Sequence, residues 1–120
     1  MIQFERIHHV QLCIPIDAED QAREFYGTIL GLQEIERPLS LQDRPGMWFK
    51  MGNIELHIGL EESSLSKRHP AFEVKDIEFT RAYCISKGIK VKDEIPIPGQ
   101  TRFSIWDPFE NRIELLERWK

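Results

Sequence analysis

The segment HHVQLCIP at residues 8–15 gives the first indication of the fold, because a related segment, RHPAFEVKD, follows at residues 68–76. A helical pattern follows each copy, over residues 17–30 and 76–87. In the first pattern, apolar residues recur at i, i+3, i+4, i+7 and i+8, which predicts an amphipathic helix. Each pattern ends at a glycine, the usual residue for the positive φ that stops a helix.

Further landmarks show that the chain is an internal repeat. Each half closes with an Ile-Glu-Leu strand, over 53–59 in the first half and 111–117 in the second. The offset between the halves is 60 from His9 to His69, 57 from Gly31 to Gly88 and 59 from Glu55 to Glu114. Turn residues delimit further strands near 46–51, 89–94 and 101–106. The chain is therefore expected to be one domain, residues 1–120, of two modules at about 5–60 and 68–119, joined by a polar linker at 61–67.

Composition narrows the class of protein. The chain has 120 residues, 41% of them hydrophobic, and a net charge of −4. The acidic balance argues against a nucleic-acid-binding protein or one that binds an anionic membrane. Cys13 and Cys84 form no disulfide framework, no apolar run approaches the ~20 residues of a membrane span, and the N-terminal stretch has no signal-peptide pattern. A cytoplasmic protein is expected.

Strand alternation separates an aliphatic face from a polar face. In the first strand, Val10, Leu12 and Ile14 share one face, which must be buried against a helix. The predicted polar faces carry His9, Glu55, His57, His69 and Glu114. One interpretation is a sheet face in water, where each polar residue has no special role. The other is a metal site, because two imidazoles with one or two carboxylates suit several divalent transition metals.

At this point the chain resembles the vicinal oxygen chelate superfamily, which includes glyoxalase I, fosfomycin-resistance enzymes, bleomycin-resistance proteins and extradiol dioxygenases. The matching motifs are IHHVQLCIP with the following A-x-x-FY-x-x-x-LGL (residues 7–32), RHPAFEVKD (68–76) and DPFENRIELLE (107–117). The resemblance implies an α+β fold of two βαβββ modules in a half-open mixed β-sheet barrel, with the helices on the outer face. It also implies a small-molecule substrate and a homodimer.

The resemblance further implies one divalent metal ion per site, Zn, Ni, Co, Mn or Fe. Its ligands are expected to be His9, His69, Glu114 and, by repeat register, Glu55, with His57 as the alternative in the first module. His8 receives no role. The family usually has a glycine where this chain has Glu110, and Asn111 is expected to adopt the left-handed conformation instead.

The function implied is that of a metal-dependent lyase or isomerase that chelates neighbouring oxygens of a small substrate. Glu55 and Glu114 are the candidate catalytic carboxylates, because proton abstraction beside a carbonyl needs a nearby base. The candidate substrate-binding residues are Gln11, His57, Glu73 and Arg102. For Arg102 and for Arg112, exposure preferences alone favour solvated surface.

Two alternatives from other classes stay open. The first is a metal-free small-molecule-binding protein of the antibiotic-resistance type, which would have an apolar aromatic cleft. The second is an Fe(II) ring-cleaving dioxygenase, which a His₂Glu triad permits.

Overall fold

The computed structural model describes residue 1 and residues 3–61 and 68–119. The predicted linker therefore lies, apart from Glu61, outside the described residues. The chain divides into two compact units, Met1–Ser63 and Ser64–Lys120, which contain the two predicted modules. That these modules make up a single domain stays a prediction, and each unit is described by itself.

The first unit is one four-stranded mixed sheet with a helix. Its elements are β1 (His9–Ile14), α1 (Glu19–Ala22), a π-helical continuation (Arg23–Ile29), β2 (Gln33–Ile35), a 3₁₀ turn (Leu39–Leu41), β3 (Met47–Met51) and β4 (Ile54–Leu60). The strand order is β1-β4-β3-β2, with β1 parallel to β4 and the other pairs antiparallel. The predicted strands and helix are present. Strand β2 was not predicted, because three residues are too few to show alternation.

The helix of the first unit covers the aliphatic face of its sheet, as the alternation predicts. Ala22, Phe25 and Tyr26 are buried on the helix, and the Tyr26 ring lies 6.1 Å from the ring of Phe49 on β3. The strand residues buried on this face are Leu12, Ile14, Met47, Phe49, Leu56 and Ile58. Burial on one face leaves His9, Glu55 and the residues of their parity on the other face.

The second unit repeats the arrangement. Its elements are β5 (Ala71–Glu73), α2 (Ile77–Ser86), β6 (Lys90–Asp93), β7 (Gln100–Trp106) and β8 (Arg112–Arg118). The strand order is β5-β8-β7-β6, with β5 parallel to β8. Its buried aliphatic and aromatic residues include Ile77, Ile89, Phe103, Ile105, Ile113 and Leu115. Both units are thus βαβββ modules, the predicted fold class.

Helix α2 buries a different stripe from the one that its sequence suggests. The pattern Phe79, Ala82, Tyr83, Ser86 predicts a buried Phe79, but this side chain is 65% exposed. Ile77 and Cys84, seven residues apart, are the buried residues. The helix has a weakly amphipathic sequence, so the sheet that it packs against decides which face is buried.

Each helical pattern opens with an aspartate, Asp17 or Asp76, and aspartate at this place predicts an N-cap. The structure confirms only the second. Asp76 caps α2 as expected, since its carboxylate accepts a hydrogen bond from the Phe79 amide at 3.1 Å. Asp17 does not cap α1, because the helix begins two residues later and the N-cap position is Ala18.

The turn before β8 corrects another expectation. Glu110 itself adopts the left-handed conformation, with φ of 71°, and not Asn111. The Asp107 carboxylate holds the turn by accepting hydrogen bonds from the amides of Phe109 and Asn111 and from the Asn111 side chain, at 2.8–2.9 Å. These bonds fix the backbone at the position of Glu110.

None of the helices in the described part of the chain has both the length and the apolar character needed to cross a bilayer.

Candidate functional site

Three aromatic rings are stacked on the polar face of the first unit. The His57 imidazole lies against the Trp48 indole, with ring centroids 3.9 Å apart and planes 1° apart. His9 stacks on His57 at 4.1 Å and 13°. The strand register explains the stack, because β4 lies between β3 and β1, so that His57 has neighbours on both sides. Alternation predicts the shared face, but not that Trp48 belongs to the site.

Glu55 and His57 form a hydrogen-bonded pair in this cluster. Their side chains meet at 2.9 Å between His57 Nε2 and Glu55 Oε1. The bond lowers the pKa of Glu55. Burial lowers the pKa of His57, although Glu55 opposes that shift. At neutral pH the pair is therefore a carboxylate and a neutral imidazole that donates through Nε2.

His8 also belongs to the cluster. Its Nδ1 lies 3.0 Å from Nδ1 of His9, with the two rings edge to face. Within a strand, neighbouring side chains point to opposite faces. Because β1 begins at His9, this alternation does not fix the direction of the His8 side chain. The sequence assigned His8 no role for this reason.

Gln11 and Cys13 continue the His9 face of β1. The amide of Gln11 lies over Gly59, since a Cβ built on that glycine would come within 2.6 Å of Gln11 Nε2. Cys13 donates through Sγ to a Glu61 carboxylate oxygen at 3.2 Å. Burial and this carboxylate raise the pKa of the thiol, which argues against a reactive thiolate.

A shallow cleft of about 540 Å³ lies beside the ring stack within the first unit. Its walls are Ile35, Glu36, Arg37, Pro38, Leu39, Gln42, Trp48 and Glu55. Half of these residues are apolar, and the volume is in the range of small-molecule sites. Glu55 and Trp48 belong to both the cleft and the cluster, so a ligand in the cleft would contact the cluster.

In the second unit, Glu114 is the centre of a polar group. Its side chain is 9% exposed, and its Oε1 accepts from Arg102 Nη1 at 2.9 Å. His69 Nε2 lies 3.6 Å from the same oxygen. Arg102 also donates twice to the Ile95 carbonyl, which fixes the guanidinium. The structure thus brings together three of the predicted site residues.

A second, partly buried ion pair joins β8 to the residue that follows β6. Arg112 donates to Ser104 Oγ at 3.0 Å and pairs with Glu94 at 3.3 Å. A hydrogen bond from Ser104 lowers the pKa of Glu94. The expectation that both arginines lie on solvated surface is wrong, because Arg102 and Arg112 are 16% and 24% exposed. Ser104 and Glu94 were not predicted as site residues, because neither belongs to a sequence motif.

Glu73, a predicted substrate-binding residue, is away from this group. It pairs with Arg118 at 2.9 Å, and both side chains are well exposed. Glu73 is opposite Leu116 in the register, one pleat further along than Ala71, which is opposite Glu114.

The strand register changes the equivalence between the modules. His9 is opposite Glu55, and Gln11 is opposite His57, whereas Glu114 is opposite Ala71, two residues after His69. If the opening histidines are equivalent, the residue equivalent to Glu114 is therefore His57 and not Glu55. Burial agrees, since His57 and Glu114 are both 6% exposed. If Glu55 and Glu114 are equivalent instead, Ala71 is the residue equivalent to His9, so the register does not align the histidine pair and the glutamate pair together.

The donor types fit a divalent transition metal, because neutral imidazole and carboxylate are its usual ligands. Each unit contributes such donors: His9, His57 and Glu55 in the first, and His69 and Glu114 in the second. Over the described residues, however, no group of three or more His, Cys, Asp or Glu side chains is arranged to hold an ion. The donors are present, and their use in coordination is a matter for proposal.

Comparison with known proteins places this geometry in a family. The model of the Glyoxalase/Bleomycin resistance protein/Dioxygenase superfamily matches residues 6–115. The chain belongs to this superfamily. The resemblance seen in the sequence motifs is thereby confirmed. No curated protein matches the chain.

Solved structures of the superfamily share its fold. A glyoxalase family protein from Bacillus anthracis is 43% identical, with a TM-score of 0.91 and coverage of 98% of each chain. A fosfomycin resistance protein from Listeria monocytogenes is 14% identical, with a TM-score of 0.76, covering 96% of this chain and 94% of that one. Lactoylglutathione lyase from Agrobacterium tumefaciens is 20% identical, with a TM-score of 0.74, covering 93% and 92%. At these low identities the last two show the fold alone.

Proposed function

We propose that this superfamily member is a divalent-metal-dependent lyase or isomerase that acts on a small molecule with two neighbouring oxygens. The observation that carries the proposal is a buried polar residue on the last strand of each module, at positions that correspond when His9 and His69 are aligned. His57 and Glu114 are both 6% exposed. Each belongs to a carboxylate–imidazole pair, His57 with Glu55 and Glu114 with His69. Burying polar groups costs free energy, so a repeated buried pair argues for use rather than chance.

The proposed ligands are His9, His69 and Glu114, with a fourth donor from β4. Strand β4 offers two donors, Glu55 and His57. With His9 and His69 aligned, the register supports His57, and Glu55 accepts a hydrogen bond from His57 Nε2. A hydrogen bond from a carboxylate to a ligating imidazole fixes the ring and its tautomer. In this arrangement His57 would bind through Nδ1.

The bound ion would supply Lewis-acid polarisation of the substrate's oxygens. The chain's own residues would do the rest. Glu55 is ionised at neutral pH and lines the cleft, so it is placed to accept a proton from carbon. Glu114 is the other candidate base, but Arg102 occupies one of its oxygens. Trp48 and the apolar cleft wall would contact the apolar part of the substrate.

The name of one structural neighbour matches the proposed reaction class. One structural neighbour is named a lactoylglutathione lyase, and another a fosfomycin resistance protein. The second candidate function is metal-free binding of a small molecule, which the partly apolar cleft favours. The homodimer and the cytoplasmic location stay predictions, and light scattering on the purified protein tests the first.

Elemental analysis tests the proposed function. The protein is stripped with a chelator, reloaded with Zn²⁺, Ni²⁺, Co²⁺, Mn²⁺ or Fe²⁺ in turn, and dialysed. We expect about one ion per chain in the wild type and substantially less in His69→Ala and Glu114→Gln. Glu73→Gln is the matched control, because it alters a carboxylate of the same unit that pairs only on the surface.

Each outcome has a meaning. Failure of the wild type to take up any of these ions overturns the metal-dependent proposal and favours the binding role. Equal metal content in wild type, His69→Ala and Glu114→Gln shows that the ligand assignment is wrong. Retention of iron in preference to the other ions directs the search towards oxygenation.

A further inference from the structure

The geometry points to His8 as a positioning residue: we infer that it holds the His9 imidazole in the tautomer whose Nε2 carries the lone pair. The inference rests on the proposed function, since it gives His9 the form that a metal ligand needs. The sequence assigned His8 no role, and the family resemblance implied a ligand role only for His9.

The contact between the two rings allows only certain proton arrangements. Nδ1 of His8 and Nδ1 of His9 are 3.0 Å apart, a hydrogen-bond distance. Between two neutral imidazoles, one Nδ1 must donate and the other must accept. If His8 donates, the proton of His9 lies on Nε2, and that nitrogen has no lone pair for a metal. If His9 donates, its Nε2 has the lone pair.

The His9 ring is held on two sides, which leaves Nε2 as the nitrogen open to a ligand. His57 stacks on one face of the ring at 4.1 Å, and His8 contacts Nδ1. Turning the ring over would break the contact with His8, so the orientation and the tautomer are coupled. A ligating histidine commonly donates its second ring proton to a fixed acceptor. His8 Nδ1 lies at hydrogen-bond distance from His9 Nδ1, the position that such an acceptor occupies.

His8 is itself fixed by the backbone. Its carbonyl accepts from the Glu55 amide at 3.0 Å, which extends the pairing of β1 and β4 by one bond. Its ring stands edge to face with that of His9, at 90° and 5.3 Å between centroids. His8 lies just outside β1, and its ring therefore lies on the same side of the sheet as the ring of His9.

The experiment measures Co²⁺ affinity by calorimetry on chelator-stripped full-length protein. The variants are His8→Ala, which removes the acceptor, His8→Phe, which keeps a ring without nitrogen, and His8→Asn, whose amide oxygen reaches the place of Nδ1. Loss of an acceptor behind a ligating histidine weakens metal binding by ~10–100-fold. We expect that loss in His8→Ala and His8→Phe, and affinity close to the wild type in His8→Asn.

A second readout reports the tautomer without metal. Long-range ¹H–¹⁵N NMR of the stripped protein should show the proton of His9 on Nδ1 in the wild type and in His8→Asn. The preference should disappear in His8→Ala. Because both histidines are exposed, the urea midpoint should not change, which separates the effect from unfolding.

The outcomes separate the two proposals. Wild-type Co²⁺ affinity in His8→Ala, or a proton on Nε2 of His9 in the wild type, overturns the role of His8 and leaves the metal site standing. If the wild type binds no Co²⁺ and none of the other ions, the proposed function fails, and the role of His8 fails with it.

Discussion

The imidazole of His57 lies flat against the indole of Trp48, with ring centroids 3.9 Å apart and planes 1° apart. These residues are opposite each other on neighbouring antiparallel strands, where side chains of one face meet directly. The stack buries a titratable ring that also contacts Glu55. The consequence is a histidine whose pKa is lowered by its burial.

Stability should depend on pH through His57. The folded pKa is lower than the unfolded value of 6.5, so the unfolded chain binds more protons as pH falls. The contribution is therefore complete above the unfolded pKa and is lost as pH falls through the folded pKa. We expect urea unfolding of stripped protein to show less stability at about pH 5.5 than at about pH 7.5. His57→Phe, which keeps a ring on Trp48, should show a smaller decrease, and an equal decrease would contradict the prediction.

The Arg102–Glu114 pair should contribute more to stability than a surface pair. Arg102→Ala leaves a nearly buried carboxylate without its donor, and we expect a loss of about 3 kcal/mol in the free energy of unfolding. Arg118→Ala is the matched control, because its pair with Glu73 is exposed and worth less than about 1 kcal/mol. Chemical denaturation measures both. Similar losses in the two variants would show that the Arg102–Glu114 pair contributes no more to the free energy of unfolding than the surface pair does.

The turn at Glu110 should be improved by glycine. Glu110 has φ of 71°, which is unfavourable for a residue with a Cβ. We expect Glu110→Gly to raise the free energy of unfolding by roughly 0.5–1 kcal/mol, after the extra entropy of the unfolded chain is counted. Gly88→Ala should lower the free energy of unfolding, because Gly88 has φ of 73°. The added Cβ would have no heavy atom within 4 Å, so the loss would come from the backbone conformation alone. Thermal unfolding distinguishes the two signs.

The first-module metal donor can be decided by two substitutions. If His57 is the ligand and Glu55 its hydrogen-bond partner, His57→Ala should weaken Co²⁺ binding more than Glu55→Gln does. The loss in Glu55→Gln should be ~10–100-fold, the range for a residue that orients a ligating imidazole. The reverse order would identify Glu55 as the ligand, against the strand register.

Much of the fold could be predicted because each module repeats a strong local pattern. The alternation in 8–14 and the helical period in 17–30 gave the elements and their buried faces. The pattern of α2 failed at Phe79, because a weakly amphipathic helix takes its orientation from the sheet beneath it. Strand β2 is too short for a pattern of its own and exists through its pairing with β3.

The candidate site was predicted by residue type but not by partner. His9, His57, Glu55 and Glu114 were identified from the motifs and the parity of their strands. The arginines were expected in water, because a sequence shows exposure only as an average over proteins. Arg102 instead pairs with the buried carboxylate of Glu114, and Arg112 with the partly buried carboxylate of Glu94.

Local sequence predicts the repeat, the helices and the polar strand faces, because periodicity and turn residues act over a few neighbours. The βαβββ order was implied by the family resemblance, and strand β2 became visible only through its pairing with β3. Strand pairing is also what favours one of the two donors on β4 once His9 and His69 are aligned. A shift of two residues along a strand keeps every side chain on the same face, so parity cannot distinguish Glu55 from His57. Hydrogen bonding between strands fixes that register, and it pairs Gln11 with His57 and Ala71 with Glu114.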